Sequence, residues 1–135
     1  MKVSILMLTH NAPDYVKQSI ETVRNNTRGV PYELIVVDNH SKDETRMVLS
    51  DLKQAGMIDK LIFSPENLLF SKGNNLASTY AAEDSDAYLL LNSDINVHSD
   101  QWLQKLCQIL PEGGDGQFWS CLLRACQSGW ILPAD

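Results

Sequence analysis

One stretch constrains this chain more than any other: Ala87-Tyr88-Leu89-Leu90-Leu91-Asn92-Ser93-Asp94. Five apolar residues run without interruption and end in an amide, a hydroxyl and a carboxylate. A strand covered on both faces shows such a run instead of an alternating one, which is the habit of parallel sheets. Ligands of open α/β sheets bind just beyond the carboxyl ends of the strands, so Asp94 is expected where such a fold does its chemistry. Asn, Ser and Asp are also turn formers, and taken alone the three residues describe a turn more readily than a site.

The rest of the chain alternates strand and helix around that run. Val3, Ser4, Ile5, Leu6, Met7 and Leu8 make a short apolar strand, closed by Thr9, His10 and Asn11. Pro13 sits where prolines begin helices, with Asn11 as the expected cap and Asp14 in the first turn. Val16, Ile20 and Val23 recur at helical spacing and would face a sheet. Tyr32, Glu33, Leu34, Ile35, Val36, Val37 and Asp38 form a second strand that again ends in a carboxylate. Ser41 and Glu44 have the spacing of a capping box. The helix they would start buries Met47, Val48, Leu52 and Ala55 and stops at Gly56. Lys60, Leu61, Ile62 and Phe63 form a third, shorter strand, and residues 65–75 a polar connection. Gly73 or Asn74 then opens a helix whose inner face is Leu76, Ala77, Tyr80 and Ala81. After the central strand, Ser99 or Asp100 caps a helix carrying Trp102, Leu103, Leu106, Ile109 and Leu110.

This order predicts an α/β fold: a doubly wound, mostly parallel sheet with helices on both faces, over residues 1–112. Residues 113–135 stand apart. Gly113, Gly114, Asp115 and Gly116 make a break, after which Phe118, Trp119, Leu122, Leu123, Cys126 and Trp130 fall on one helical face. Such a stripe is ordinarily core. It becomes an interface with a second copy or a partner subunit if the core has no room for it.

Composition narrows the function. At 135 residues the chain fits one domain with a sizeable core. A net charge of -6 and a pI near 4.9 argue against nucleic acid as a partner. They leave room for a phosphorylated ligand brought in by a divalent cation. The apolar run after Lys2 is too short for a signal peptide, and no segment approaches the ~20 apolar residues that span a bilayer. Cys107, Cys121 and Cys126 are odd in number and lack metal-type spacing, so reduced thiols in a cytoplasmic protein are expected.

Two strands ending at Asp38 and Asp94, and a third ending at Thr9 and His10, should reach the same sheet edge. A nucleotide diphosphate needs a partner for its base or ribose, a counter-charge for its phosphates and a bridging cation. Mg²⁺ or Mn²⁺ takes one or two carboxylates plus phosphate oxygens and keeps waters elsewhere. His10, His40 and His98 are read as solvated or capping residues, and Cys107 as a small core residue.

Four blocks of the sequence together resemble the family 2 glycosyltransferases of the GT-A fold, in the rhamnosyltransferase-like branch. They are residues 3–11, residues 34–41, residues 66–75 (Glu66-Asn67-Leu68-Leu69-Phe70-Ser71-Lys72-Gly73-Asn74-Asn75) and residues 89–94. The resemblance implies that Thr9 and Asn11 line the nucleotide pocket and that Asp38 binds the nucleoside. It implies that Asn67, Lys72, Gly73 and Asn75 close over the nucleotide. Asn92, Ser93 and Asp94 match the DXD-like motif, with Asn92 in place of its first acid and Asp94 as the metal ligand. The reaction implied is transfer of a sugar from a nucleotide-diphosphate donor, with Mg²⁺ or Mn²⁺, to a hydroxyl of a saccharide or lipid-linked acceptor. It belongs to polysaccharide or glycolipid synthesis in the cytoplasm or at the inner membrane face.

The sequence departs from the family pattern in two ways. Leu69 and Ala77 stand where the family prefers glycine. Family members also continue past the DXD-like strand into an acceptor site that carries the carboxylate base, and this sequence reads as truncated after that motif. Asp100, Glu112, Asp115 and Asp135 match no such motif, so the catalytic base is unassigned. A module that binds a nucleotide sugar without transferring it is the competing reading. A nucleotidyltransferase ranks third, because residues 9–13 are not the Gly-rich basic loop it would want.

Overall fold

A computed structural model describes residues 1–109 and 122–124. In chain order the elements are β1 (Val3–Thr9), α1 (Pro13–Asn26), β2 (Tyr32–Asp38), α2 (Asp43–Gln54) and β3 (Lys60–Phe63), then α3 (Leu69–Thr79), β4 (Ala87–Asn92), α4 (Trp102–Ile109) and β5 (Leu122–Arg124). They form one sheet in the order β3-β2-β1-β4-β5. The first four strands of that order are parallel, and β5 runs antiparallel along β4.

The two-residue period of the strands divides the core into two layers. Val3, Ile5 and Met7 of β1 face one side with Leu34, Val36 and Leu89, where they meet Val16, Ile20 and Val23 of α1, Leu49 and Leu52 of α2, and Leu103 of α4. Leu6, Ile35, Val37 and Leu90 face the other side and pack on Ala77 of α3. Covered on both faces, the central strands carry long apolar runs, and this is the predicted doubly wound, mostly parallel α/β fold. No helix among the described residues is long and apolar enough to cross a membrane.

At the amino edge, Ser4 and Glu33 are partners in the β1–β2 register. Burial pushes the Glu33 carboxyl up, but three contacts outweigh it: the Ser4 hydroxyl (2.6 Å), the Ala82 N–H (2.7 Å) and the Lys60 ammonium (3.2 Å). Its pKa therefore lies below the ordinary value.

Several local expectations fail, each for a physical reason. Helix α3 begins at Leu69, ahead of Gly73 and Asn74, because contacts from Asn39 fix its first turn (below). Its buried face is Gly73, Asn74, Asn75, Ala77 and Ser78, and Tyr80 lies exposed at its end. In α2 the buried residues are Thr45, Leu49 and Leu52, spaced four and three apart. Met47, about half a turn out of phase with Leu49, is exposed, as is Ala55. Ser41 does not cap α2, because its hydroxyl accepts the Asn11 N–H instead. Asn11 does not cap α1, because its Oδ1 accepts the Lys42 N–H. Leu122 and Leu123, expected on a helical face, belong to β5, which pairs with the otherwise unpaired edge of β4. The remainder of that expected helix, with Leu110 and residues 111–116, lies outside the described residues.

Candidate functional site

The sheet order contains a topological switch point. From β1 the chain passes through α1 to β2 on one side, and from β3 it returns through α3 to β4 on the other side of β1. At such a point the crossovers diverge and leave a crevice at the carboxyl ends of the strands. Thr9 and Asp38 are register partners there, as are Leu8 and Asn92. The cleft above them has a volume of about 510 Å³ and is lined by Leu8, Ala12, Tyr15, Asn92, Ser93 and Asp94.

The loops after β1 and β2 are tied into one unit. The Asn39 N–H donates to the Thr9 carbonyl (2.7 Å), the Asn11 N–H to the Ser41 hydroxyl (2.7 Å) and the Lys42 N–H to Asn11 Oδ1 (2.9 Å). His10 Nδ1 lies 2.7 Å from the Asn39 carbonyl, which can only accept, so the ring donates there. Asn11, Ala12 and His40 all hold a positive φ (56°, 56° and 62°). Among the described residues the fourth non-glycine with this conformation is Leu69 (61°), the first residue of α3. Each such residue costs about 1–2 kcal/mol, and these four cluster at this edge, the pattern of a strained site.

Asp38 is fully buried and Thr9 is 2% exposed. Asp38 Oδ2 accepts the Ser41 N–H at 3.0 Å, whereas Asp38 Oδ1 and Thr9 Oγ1 have no hydrogen-bond partner among the described residues. Two such atoms on register partners are exceptional, because nearly all buried polar atoms are paired.

Asn39 links this unit to α3: its Oδ1 accepts the Leu68 N–H (2.9 Å) and its Nδ2 donates to the Leu69 carbonyl (3.3 Å). Gly73 then allows α3 to close on β1. A Cβ at that position would lie 2.6 and 2.8 Å from the two Leu8 methyls and 3.3 Å from Asn39 Nδ2. Asn67 is exposed and accepts the Leu69 N–H through Oδ1, Lys72 is exposed, and Asn75 is buried within α3. The structure thus brings Thr9, Asn11 and Asp38 into one unit, sets Asn92, Ser93 and Asp94 along the cleft, and uses Gly73 as a packing contact. Thr9, Asn11 and Asp38 lie beside the cleft without lining it, and Asn67, Lys72 and Asn75, in and before α3, do not line it either.

Sequence reasoning missed Tyr15, a residue 63% exposed on the cleft wall. It also missed Ser19, Thr22 and Asn26, polar residues beside the buried stripe of α1 that bond the segment after β4. Their spacing of three and four was a readable signal, a second helical face that is polar yet directed at protein.

Asp94 is exposed at the cleft and has no hydrogen bond or ion pair among the described residues. No group of three His, Cys, Asp or Glu able to hold a metal occurs among those residues. A lone carboxylate suits a cation that takes one protein oxygen and completes its shell with phosphate and water, as Mg²⁺ and Mn²⁺ do.

Solved structures share this architecture. S. aureus TarS (residues 1–349, in complex with UDP-GlcNAc) matches with a TM-score of 0.66 and 21% identity, over 80% of this chain and 30% of that one. The mannosyltransferase PcManGT from Pyrobaculum calidifontis (in complex with GDP-Man and Mn²⁺) matches with a TM-score of 0.66 and 17% identity, over 75% and 30%. In sequence, the chain is 24% identical over 115 residues to a dolichol-phosphate mannosyltransferase of Pyrococcus furiosus. That alignment covers 85% of this chain and 32% of the relative, so the chain spans about a third of that relative's length. The family model for glycosyl transferase family 2 matches residues 4–131, nearly the whole chain. The protein belongs to glycosyl transferase family 2, and its doubly wound sheet is the GT-A fold of that family.

Proposed function

We propose that this chain binds a nucleotide-diphosphate sugar in the cleft between β1 and β4 and serves its transfer to an acceptor hydroxyl of a saccharide or lipid-linked oligosaccharide. The observation that carries this reading is the pair of buried, unpartnered atoms, Thr9 Oγ1 and Asp38 Oδ1. Leaving such a group unsatisfied costs about 1–3 kcal/mol, which a ligand donor reaching the pair would recover. A carboxylate oxygen can only accept, so it calls for a donor on the nucleoside. Uracil, thymine and guanine offer a ring N–H, whereas adenine and cytosine offer an exocyclic amino group at a different place on the ring. With a ring N–H as that donor, UDP, dTDP or GDP is the expected donor nucleotide.

In this reading Thr9 and Asn11 form the pocket wall beside Asp38. Asn67, Lys72, Gly73 and Asn75 set the α3 start over the nucleotide, and Asn92 and Ser93 border the diphosphate. Asp94 would hold Mg²⁺ or Mn²⁺, which stabilises a leaving diphosphate as a Lewis acid. The donors seen with TarS and PcManGT, UDP-GlcNAc and GDP-Man, are of the proposed class.

A non-transferring nucleotide-sugar module is the second reading, and one observation favours it. Asp100 is the one acid among the described residues after Asp94, and it lies at the opposite edge of the sheet. There its carboxylate stands 4.0 Å from Arg28 and its carbonyl accepts the Arg28 N–H. A general base must come within hydrogen-bonding reach of the proton it takes, and Asp100 does not reach the cleft.

Titration with UDP, dTDP, GDP, ADP and CDP tests the donor assignment. The wild type should bind one of the first three in preference to ADP and CDP, and Asp38→Asn should lose that preference. Equal binding of all five, or a preference unchanged in Asp38→Asn, would contradict it.

A further inference from the structure

After β4 the chain runs down the side of α1 from the carboxyl edge to the amino edge, and three side chains of α1 hold it there. The Ser19 hydroxyl lies 2.9 Å from the carbonyl of Ser93 and 2.6 Å from that of Ile95. Thr22 Oγ1 accepts the Val97 N–H at 3.1 Å and donates to the Ser19 carbonyl at 3.0 Å. Asn26 Nδ2 donates to the Val97 carbonyl at 3.0 Å.

The placement of Ser19 is specific. It is fully buried, and the two carbonyls that converge on its single proton belong to the residues on either side of Asp94. The Asp94 carboxylate has no hydrogen bond or ion pair among the described residues. Its backbone is held on both sides by one hydroxyl. A carbon in place of that hydroxyl leaves both carbonyls without their donor and frees the turn to reorient.

From this geometry we infer that Ser19 is a positioning residue for Asp94, fixing through the backbone the carboxylate that faces the cation and diphosphate. The inference rests on the proposed donor site. Groups that orient a metal ligand typically change metal affinity by about 10–100-fold when removed. The effect of Ser19 should fall on the metal-dependent part of binding and spare the base pocket around Thr9 and Asp38.

The test is calorimetric titration of the nucleotide diphosphate preferred by the wild type, at a series of Mn²⁺ concentrations. Wild type, Ser19→Ala and Leu52→Ala are compared, the last a core change in α2 that lowers stability far from the cleft. The inference expects Ser19→Ala to need roughly tenfold more Mn²⁺ for half-maximal enhancement, with metal-free nucleotide affinity unchanged. Leu52→Ala should match the wild type in both. If Ser19→Ala fails to fold, Thr22→Val, which keeps the shape of the next residue in the series, carries the same expectation in smaller degree. An unchanged Mn²⁺ dependence, or equal loss of metal-free affinity, overturns the role of Ser19 and leaves the donor site standing. A wild type that binds no nucleotide diphosphate overturns the donor site and this inference together.

Discussion

Gly73 shows how a single position shapes the cleft from behind. Its Cα faces Leu8, a residue shared by the second core layer and the cleft wall. Replacing it with alanine drives a methyl to within 2.8 Å of both Leu8 methyls, and the end of a half-buried leucine can move aside. Gly73→Ala should therefore lower stability by only about 1 kcal/mol, the low end of overpacking. Because Leu8 moves toward the cleft, nucleotide affinity should fall as well. Chemical denaturation and titration with the same variant check both parts, and unchanged affinity would mean that Leu8 does not bound the ligand. At this scale the sequence was partly legible. Asp38 and Asp94 could be chosen because each follows an unbroken apolar run. Leu69 could not be given its backbone conformation, because a leucine at positive φ is held there by Asn39, thirty residues earlier in the chain.

Among the elements, the four parallel strands were readable because each carries an apolar run that breaks off at polar residues. Helix α1 does begin at Pro13 as expected, but the caps were not readable, because the residues that looked like caps, Asn11 and Ser41, bond each other's loops instead. Such cross-loop bonds form only after β1 and β2 lie side by side, and local spacing does not contain them. The β1–β2 pairing has its own electrostatic consequence at the amino edge. The Glu33 carboxyl, depressed below its ordinary value of 4.5, contributes stability that is fully present above that value. That contribution is lost as the pH falls through the lower folded-state value. Glu33→Gln should be less stable than the wild type near neutrality, and the gap should close on acidification. Urea midpoints across the acid range measure this, and a gap independent of pH would show that shape, not charge, matters at residue 33.

For the whole molecule, the order β3-β2-β1-β4 places the switch point between β1 and β4, and the cleft lies there. The fold class was legible from the alternation of apolar runs and amphipathic helices. The antiparallel β5 was not, since Leu122 and Leu123 satisfy a helical spacing and a strand equally well. Asp38 and Asp94, 56 positions apart in the chain, would serve one ligand from the ends of the two strands that flank β1. Calorimetric titration of UDP, dTDP and GDP, each with and without Mn²⁺, into wild type and Asp94→Ala tests it most directly. Asp94 is exposed, so the substitution leaves the core untouched. The account predicts that one nucleotide binds the wild type more tightly with Mn²⁺ and that Asp94→Ala abolishes the enhancement while keeping the metal-free affinity. Binding that ignores both Mn²⁺ and Asp94, or no binding of any of the three, would contradict it.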